Sequence, residues 1–336
     1  VQHEENKEKL MTSVLVTGGA GYIGSQVVRQ LGEQTNYEIT VIDNLSTGLK
    51  EAVVYGDLIV EDLSNAPALW EIFSERRFDA VIHFAASIIV PESVSNPLKY
   101  YANNTINTIE LIRCAVQHGL KYFIFSSTAA VYGIPEEIPI QETTPTRPIN
   151  PYGMSKLMSE TVLFDTAQSK ESLNYAILRY FNVAGASRDG QLGQNFPEAT
   201  HLIKRAAQAV IGQIPYLEIY GTDYDTPDGT GVRDYIHVED LASAHLSALE
   251  YLREGGDSEV FNCGYGRGYS VREVIDAMKE ASGVDFPVRE APRRPGDPPM
   301  LIADNTKILS HFRWRPQCDD LALICKTALE WEKRIA

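Results

Sequence analysis

The feature that most restricts the fold of this chain is Thr17-Gly18-Gly19-Ala20-Gly21-Tyr22-Ile23-Gly24. It follows the apolar run Ser13-Val14-Leu15-Val16 and precedes a stretch, 22–31, with helical spacing of apolar residues. Strand, glycine turn and helix in that order let a chain turn sharply, bring its backbone against a pyrophosphate and pack the helix close to the strand. The helix that opens there offers free N–H groups and its positive end to phosphates. A tight structural turn would also use glycines, so the context matters: the next strand ends in Asp43, 19 residues past Gly24. A carboxylate at that place can accept both ribose hydroxyls and would repel a 2′-phosphate, which favours NAD over NADP. A cap or turn role is the alternative for Asp43 taken alone. Asp57, followed by Leu58, is read as lying past the third strand and able to meet the adenine, with an exposed loop carboxylate as the competing reading.

Short apolar strands at 38–43, 53–60, 79–84, 121–126 and 174–180 alternate with helical patterns at 98–118 and 152–168. That rhythm predicts an α/β fold: a doubly wound, Rossmann-type parallel sheet covered on both faces. Past Gly185 it breaks into Gly-, Asp-, Thr- and Pro-punctuated chain, with further helices expected at 239–252, 271–281 and 319–333. The expected division is an NAD-binding domain at 11–185 plus part of 235–262, and a smaller α/β domain at 186–234 and 263–336 laid over the carboxyl ends of the strands. Residues 1–10 are charged and are read as an extension ahead of Met11.

The net charge of -15 argues against a broad nucleic-acid surface. No apolar run reaches the ~18 residues of a membrane span. The four cysteines show no metal-type spacing, which predicts reduced, buried thiols in a cytoplasmic protein and no metal site.

Tyr152 and Lys156 stand four apart at the start of the 152–168 helix, on one face. A free phenol, with a pKa near ~10, is a poor base at neutral pH. A neighbouring ammonium and a cationic nicotinamide would both stabilise the phenolate. Ser126, Ser127 and Thr128 place hydroxyls at the end of the preceding strand, within reach of a reacting oxygen. A tyrosine and a lysine on a solvated helix face give the same pattern, and it is the placement beside a glycine cradle that favours catalysis.

At these residues the chain resembles the extended short-chain dehydrogenase/reductase family and, within it, the enzymes that epimerise UDP-hexoses. The resemblance runs from Thr12 to the last helix and is most specific in TGGAGYIGS, DNLSTG, VIHFAA, FIFSSTAAVYG, NPYGMSKLMSE, LRYFNVAGA, GTGVRDYIHVEDLA and APRRPGD. It implies a tightly held, unconsumed NAD and interconversion of UDP-galactose and UDP-glucose through a 4-keto sugar. Tyr152, Lys156 and Thr128 would be the catalytic residues. Gly18, Gly21, Tyr22, Ile23, Gly24, Asp43, Asn44, Phe84, Ala85, Asn103 and Tyr180 would hold the cofactor. Arg233 and Arg294 would grip the diphosphate with Asn182, beside Phe181, and Asp297 the uridine ribose; an isolated surface role is the alternative for each arginine. His201-Leu202 stands where other members carry an amide residue, and a uracil contact there is one option. A homodimer is also implied, with Leu111, Leu157, Leu163 and Phe164 as apolar faces of paired helices, or alternatively packed on the chain's own sheet.

Three departures from the family pattern stand out. Ile88 replaces a lysine that touches the nicotinamide ribose in some members, Thr128 replaces serine, and Leu301 replaces a pocket-wall tyrosine. The smaller Leu301 leaves room for UDP-N-acetylhexosamines. A nucleotide-sugar 4,6-dehydratase would need an acid and a base just after Thr128, where Ala129 and Ala130 stand. A uronate or pentose 4-epimerase on the same scaffold, or a non-catalytic NAD-binding protein, are the other readings.

Overall fold

A computed structural model of the chain describes residues 12–336 apart from 171, 198, 295 and 296, so the expected extension at 1–10 lies outside the described residues. The strands are β1 (Ser13–Thr17), β2 (Glu38–Asp43), β3 (Asp57–Val60), β4 (Ala80–His83), β5 (Tyr122–Thr128), β6 (Asn174–Tyr180), β7 (Asn182–Ala184), β8 (Leu217–Tyr220), β9 (Val232–His237), β10 (Glu259–Cys263), β11 (Gly268–Ser270), β12 (Val288–Ala291) and β13 (Met300–Leu301). Seven form a sheet in the order β10-β6-β5-β4-β1-β2-β3, every neighbouring pair parallel. The order reverses at β1, so the crevice beyond its carboxyl end is where such sheets take a ligand. A small sheet joins β7, β9, β11 and β13, and β8 pairs with β12; these belong to a second, smaller domain.

The helices are α1 (Tyr22–Gln34), α2 (Ala66–Glu75), α3 (Val90–Ser95), α4 (Pro97–Tyr100), α5 (Asn107–Gln117), α6 (Pro151–Ser169), α7 (Leu202–Val210), α8 (Val238–Arg253), α9 (Val271–Ser282), α10 (Thr306–His311) and α11 (Leu321–Ile335). Of these, α1 and α8 cover one face of the large sheet, and α2, α5 and α6 cover the other. On β1, Val14 and Val16 join one apolar core with α1 and α8, while Leu15 between them joins the other with α2 and α5. A strand buried on both sides needs this continuous apolar run rather than alternation.

Two elements differ from expectation. The third strand is half as long as the apolar run suggests, because Gly56 takes a left-handed φ of 78° and the chain turns there before pairing with β2. The helix expected over 98–118 is interrupted by a π-helical turn at Tyr101–Ile106. The interruption swings Asn104 so that its side-chain amide donates to the Ser87 carbonyl at 2.9 Å and to Ser155 Oγ at 3.1 Å, joining the loop after β4 to α6. Leu111 and Leu163 are fully buried in the core beside the sheet, so the expectation that they face a second subunit is corrected. Leu157 is partly buried against the chain's own Ala129–Tyr132 cluster, and Phe164 alone of the four is exposed.

The first turn of α1 is built on contact that only glycine allows. A Cβ at Gly24 would lie 2.2 Å from the Gly18 carbonyl oxygen. Gly24→Ala therefore forces the cradle open, and a loss of about 1–3 kcal/mol in denaturant-unfolding stability is expected, with loss of bound dinucleotide. An unchanged midpoint with full cofactor content would contradict this packing.

Candidate active site

The carboxyl ends of the large sheet open into a cleft of about 1680 Å³ that runs on beneath the smaller domain. At one end lies the glycine cradle. Gly18 has a φ of 72°, and a Cβ there would meet the Ala85 nitrogen at 2.6 Å, so the turn after β1 and the loop after β4 touch backbone to backbone. Helix α1 starts at Gly21 with no side-chain cap and no acidic residue in its first turn. Its first N–H groups are thus free for an anion, and Gly21, Tyr22, Ile23 and Gly24 line the cleft. Asp43 lines it as well, but its carboxylate also builds the turn: Oδ2 accepts the Ala20 N–H at 2.9 Å and Oδ1 the Leu45 N–H at 2.8 Å. That second bond holds Leu45 at a φ of 56°, a conformation leucine rarely takes, so the turn reading of Asp43 holds while its carboxylate still borders the cleft. Asn44, Phe84, Ala85, Asn103 and Tyr180 complete this wall. A cradle that a Cβ would fill, with uncapped helix donors and a carboxylate at the next strand end, fits a dinucleotide.

Tyr152 is the second residue of α6, whose start is capped by Asn150 Oδ1 accepting the Gly153 N–H at 2.9 Å. It reaches the cleft, as does Thr128. Of the three hydroxyls at the end of β5, Thr128 alone is directed there. Ser126 shares a 2.7 Å hydrogen bond with the Tyr180 hydroxyl, and Ser127 donates to Glu160. Thr128 Oγ1 accepts the Ala130 N–H at 3.1 Å, which leaves its own proton free to donate. Burial pushes the Tyr152 phenol above its ordinary value, and the Thr128 hydroxyl acts in the opposite direction. Lys156 is buried and does not itself line the cleft; its Nζ lies 4.2 Å from the centre of the Phe125 ring. Burial brings its ammonium down to about 7, with the Glu160 carboxylate opposing that fall.

The other end of the cleft is arginine-rich. Arg233 on β9 is held by Asp297 Oδ1 at 2.5 Å and by the carbonyls of Val232, Pro298 and Pro299. The Arg294 guanidinium carbon sits over the Tyr220 ring, 3.8 Å from its centre. Phe181, Asn182, His201, Leu202 and Leu301 line the wall between the two ends. His201 caps α7 without a side-chain bond, and its Nδ1 is buried with no partner among the described residues. Burial holds this imidazole below its ordinary value.

The expected adenine contact is corrected. Asp57 opens β3 at its amino end, is exposed and pairs with Arg76 at 2.9 Å; neither it nor Leu58 lines the cleft. The carboxyl end of that strand presents Asp62 and Leu63 instead, and Asn44 donates to Asp62 Oδ2 at 2.6 Å. The strand's end, rather than the Gly-Asp-Leu string, is the signal that finds them. Tyr220 and Tyr224 are further cleft residues not anticipated from sequence; Arg293 and Arg294 stack on them, and aromatic residues spaced ahead of an arginine pair are the only hint.

Known proteins resemble this chain in sequence and fold. The chain is 54% identical over 323 residues to the UDP-glucose 4-epimerase of Azospirillum brasilense, covering 96% of this chain and 92% of that one. The solved UDP-Glc/GlcNAc 4-epimerase of Campylobacter jejuni is 53% identical with a TM-score of 0.85, over 96% and 99% of the two chains. The UDP-glucose 4-epimerase of Brucella ovis, solved in complex with NAD, is 45% identical with a TM-score of 0.91, over 95% and 97%. The profile of the NAD dependent epimerase/dehydratase family matches residues 14–264, and the chain belongs to that family.

Proposed function

We propose that the chain is an NAD-dependent 4-epimerase that interconverts UDP-galactose and UDP-glucose through a 4-keto sugar. The observation that carries this reading is that Tyr152 and Thr128 meet in one cleft, between the glycine cradle at one end and Arg233 and Arg294 at the other. Residues 11–185 and part of 235–262 hold the cofactor, and 186–234 with 263–336 hold the nucleotide. NAD, when bound, supplies a hydride acceptor that becomes the donor in the second half of the reaction. Tyr152, as phenolate, takes the proton from the sugar 4-hydroxyl and returns it to the same oxygen. The Thr128 proton donates to that oxygen, and the Lys156 ammonium below supports the phenolate. The arginines anchor the diphosphate by their charge while the hexose stays loosely held, so the ketone can turn over between the two half-reactions.

Alanines at 129 and 130 line the cleft where a dehydratase needs an acid and a base, which disfavours elimination. Leu301, opposite Arg233 in the β9–β13 pairing, shapes the hexose wall. A leucine there leaves space beside the sugar C2, so N-acetylated UDP-hexoses are accepted too; the Campylobacter jejuni relative supports this extension. No helix among the described residues is long and apolar enough to cross a membrane, and all four cysteines are free and buried. The buried free thiols suit a reducing compartment, and the reading places the enzyme in galactose metabolism, working in the cytoplasm on small nucleotide sugars.

The enzyme works as a homodimer. Leu98 at 77% exposure, Ile106, Ile109, Met158 and Phe164 leave an apolar stripe over α4, α5 and α6 that a second copy covers as a four-helix bundle. Replacing Leu98 and Phe164 together by Asp is expected to convert a dimer to a monomer in sedimentation velocity; an unchanged mass contradicts this interface.

Protein purified without added cofactor is expected to convert UDP-galactose to UDP-glucose in a coupled dehydrogenase assay. Tyr152→Phe should lower kcat by about 10²–10⁴-fold while leaving bound NAD in place. No turnover by the wild type, even with NAD added, would overturn the reading. Leu301→Tyr should lower kcat/KM for UDP-N-acetylglucosamine by about 10–200-fold and leave UDP-galactose nearly unaffected. Equal losses on both would show that residue 301 does not set the sugar range.

A further inference from the structure

A charged pair lies buried below the reacting hydroxyls. Glu160 on α6 and Arg179 on β6 are each less than a tenth exposed. Arg179 Nη2 donates to Glu160 Oε2 at 2.5 Å, and its Nε reaches Oε1 and Oε2 at 3.0 and 3.2 Å. Ser127, which faces Arg179 in the β5–β6 register, donates its hydroxyl to Oε1. The remaining arm of Arg179 donates to the Tyr132 hydroxyl at 3.1 Å, and Tyr132 donates to Asn262 Oδ1 at 2.7 Å. Removing two charges from water costs about as much as their attraction returns, so stability alone is a weak reason for such a pair.

Its position gives it a use. Tyr152, Lys156 and Glu160 follow one another at four-residue intervals along one face of α6. Both Glu160 oxygens are engaged by Arg179 and Ser127, so the carboxylate acts on Lys156 through space, where little water screens it. We propose that Glu160, clamped by Arg179 and Ser127, is a positioning residue that keeps the Lys156 side chain in its ammonium form beneath Tyr152. The role rests on reading Tyr152 and Lys156 as the proton-handling pair.

The other groups around Lys156 supply no negative charge. His83 on β4 is held between the Thr17 and Thr108 hydroxyls, and burial keeps it neutral. Burial likewise keeps the phenols of Tyr152 and Tyr180 protonated in the resting site. Phe125 on β5 offers only its ring face, and Arg179 is itself a cation. Glu160 is thus the group that opposes the desolvation of the ammonium. The sign follows: removing this negative charge makes Lys156 lose its proton at lower pH.

The test follows the Lys156 Nζ resonance against pH in protein labelled with [ζ-15N]lysine, assigned by its absence in Lys156→Met. Glu160→Gln should lower the Lys156 titration midpoint by about one pH unit or more, and Glu160→Asp should hold it near the wild-type value. Because Glu160→Gln strands the buried Arg179 and can unfold, the neutral pair Glu160→Gln with Arg179→Met is measured beside it and should show a fall in the same direction, smaller because a cation leaves with the carboxylate. A midpoint that stays put in the neutralised variants, or falls as far in Glu160→Asp, overturns the proposal even if the enzyme epimerises UDP-galactose. Conversely, a wild type without that activity whose Lys156 midpoint still responds as described would overturn the functional reading and leave the charge coupling standing.

Discussion

The site depends on the backbone-to-backbone approach of the turn after β1 to the loop after β4. With Gly18 in a left-handed conformation, and room for no Cβ between it and Ala85, the two strand ends stand close enough for α1 to aim its first N–H groups along the sheet's carboxyl edge. Because helices cover both faces of the sheet, that edge is where its strands present groups to a ligand. Strands β1, β2, β4, β5 and β6 each contribute from it: glycine turn, acidic residue, aromatic wall, hydroxyl and the approach to Asn182. The second domain closes the cleft with arginines whose orientation is set in advance by Asp297 and Tyr220.

A second constraint is electrostatic. The chain places a phenol and an ammonium where burial disfavours the charged form of both. Each group has one neighbour acting against burial: the Thr128 hydroxyl on the phenol and the Glu160 carboxylate on the ammonium. The polar chain from Glu160 through Arg179 and Tyr132 to Asn262 continues to the Ile140 carbonyl, and Ile140 also pairs with the strand segment beside Leu301. One connected set of hydrogen bonds therefore runs from the helix that carries Tyr152 to the cleft wall at Leu301.

Much of this was legible in the sequence because it is written locally. Strand, glycine turn and helix give the cradle, and a four-residue interval gives the Tyr152–Lys156 face. What was not legible depends on where an element begins or on partners far along the chain. The apolar run at 53–60 does not reveal that Gly56 delays β3, so the acidic residue at the strand's carboxyl end is Asp62 and not Asp57. A π turn shifts hydrogen bonds by one residue without erasing the apolar pattern, so the helix from Leu98 reads as continuous. Leu111 and Phe164 have the same periodic signature, yet one lies in the core and the other on the surface. The Glu160–Arg179 pair joins residues 19 apart through the β5–β6 register, which no motif announces.

The central claim is that one carbon is oxidised and re-reduced within a closed site, with its hydrogen never reaching water. The direct measurement is conversion of UDP-galactose carrying deuterium at C4 in ordinary water, with the product's C4 position read by mass spectrometry and NMR. The account predicts UDP-glucose that keeps the deuterium at C4 through repeated turnovers. Progressive replacement by solvent hydrogen would contradict it and point instead to deprotonation of the carbon itself.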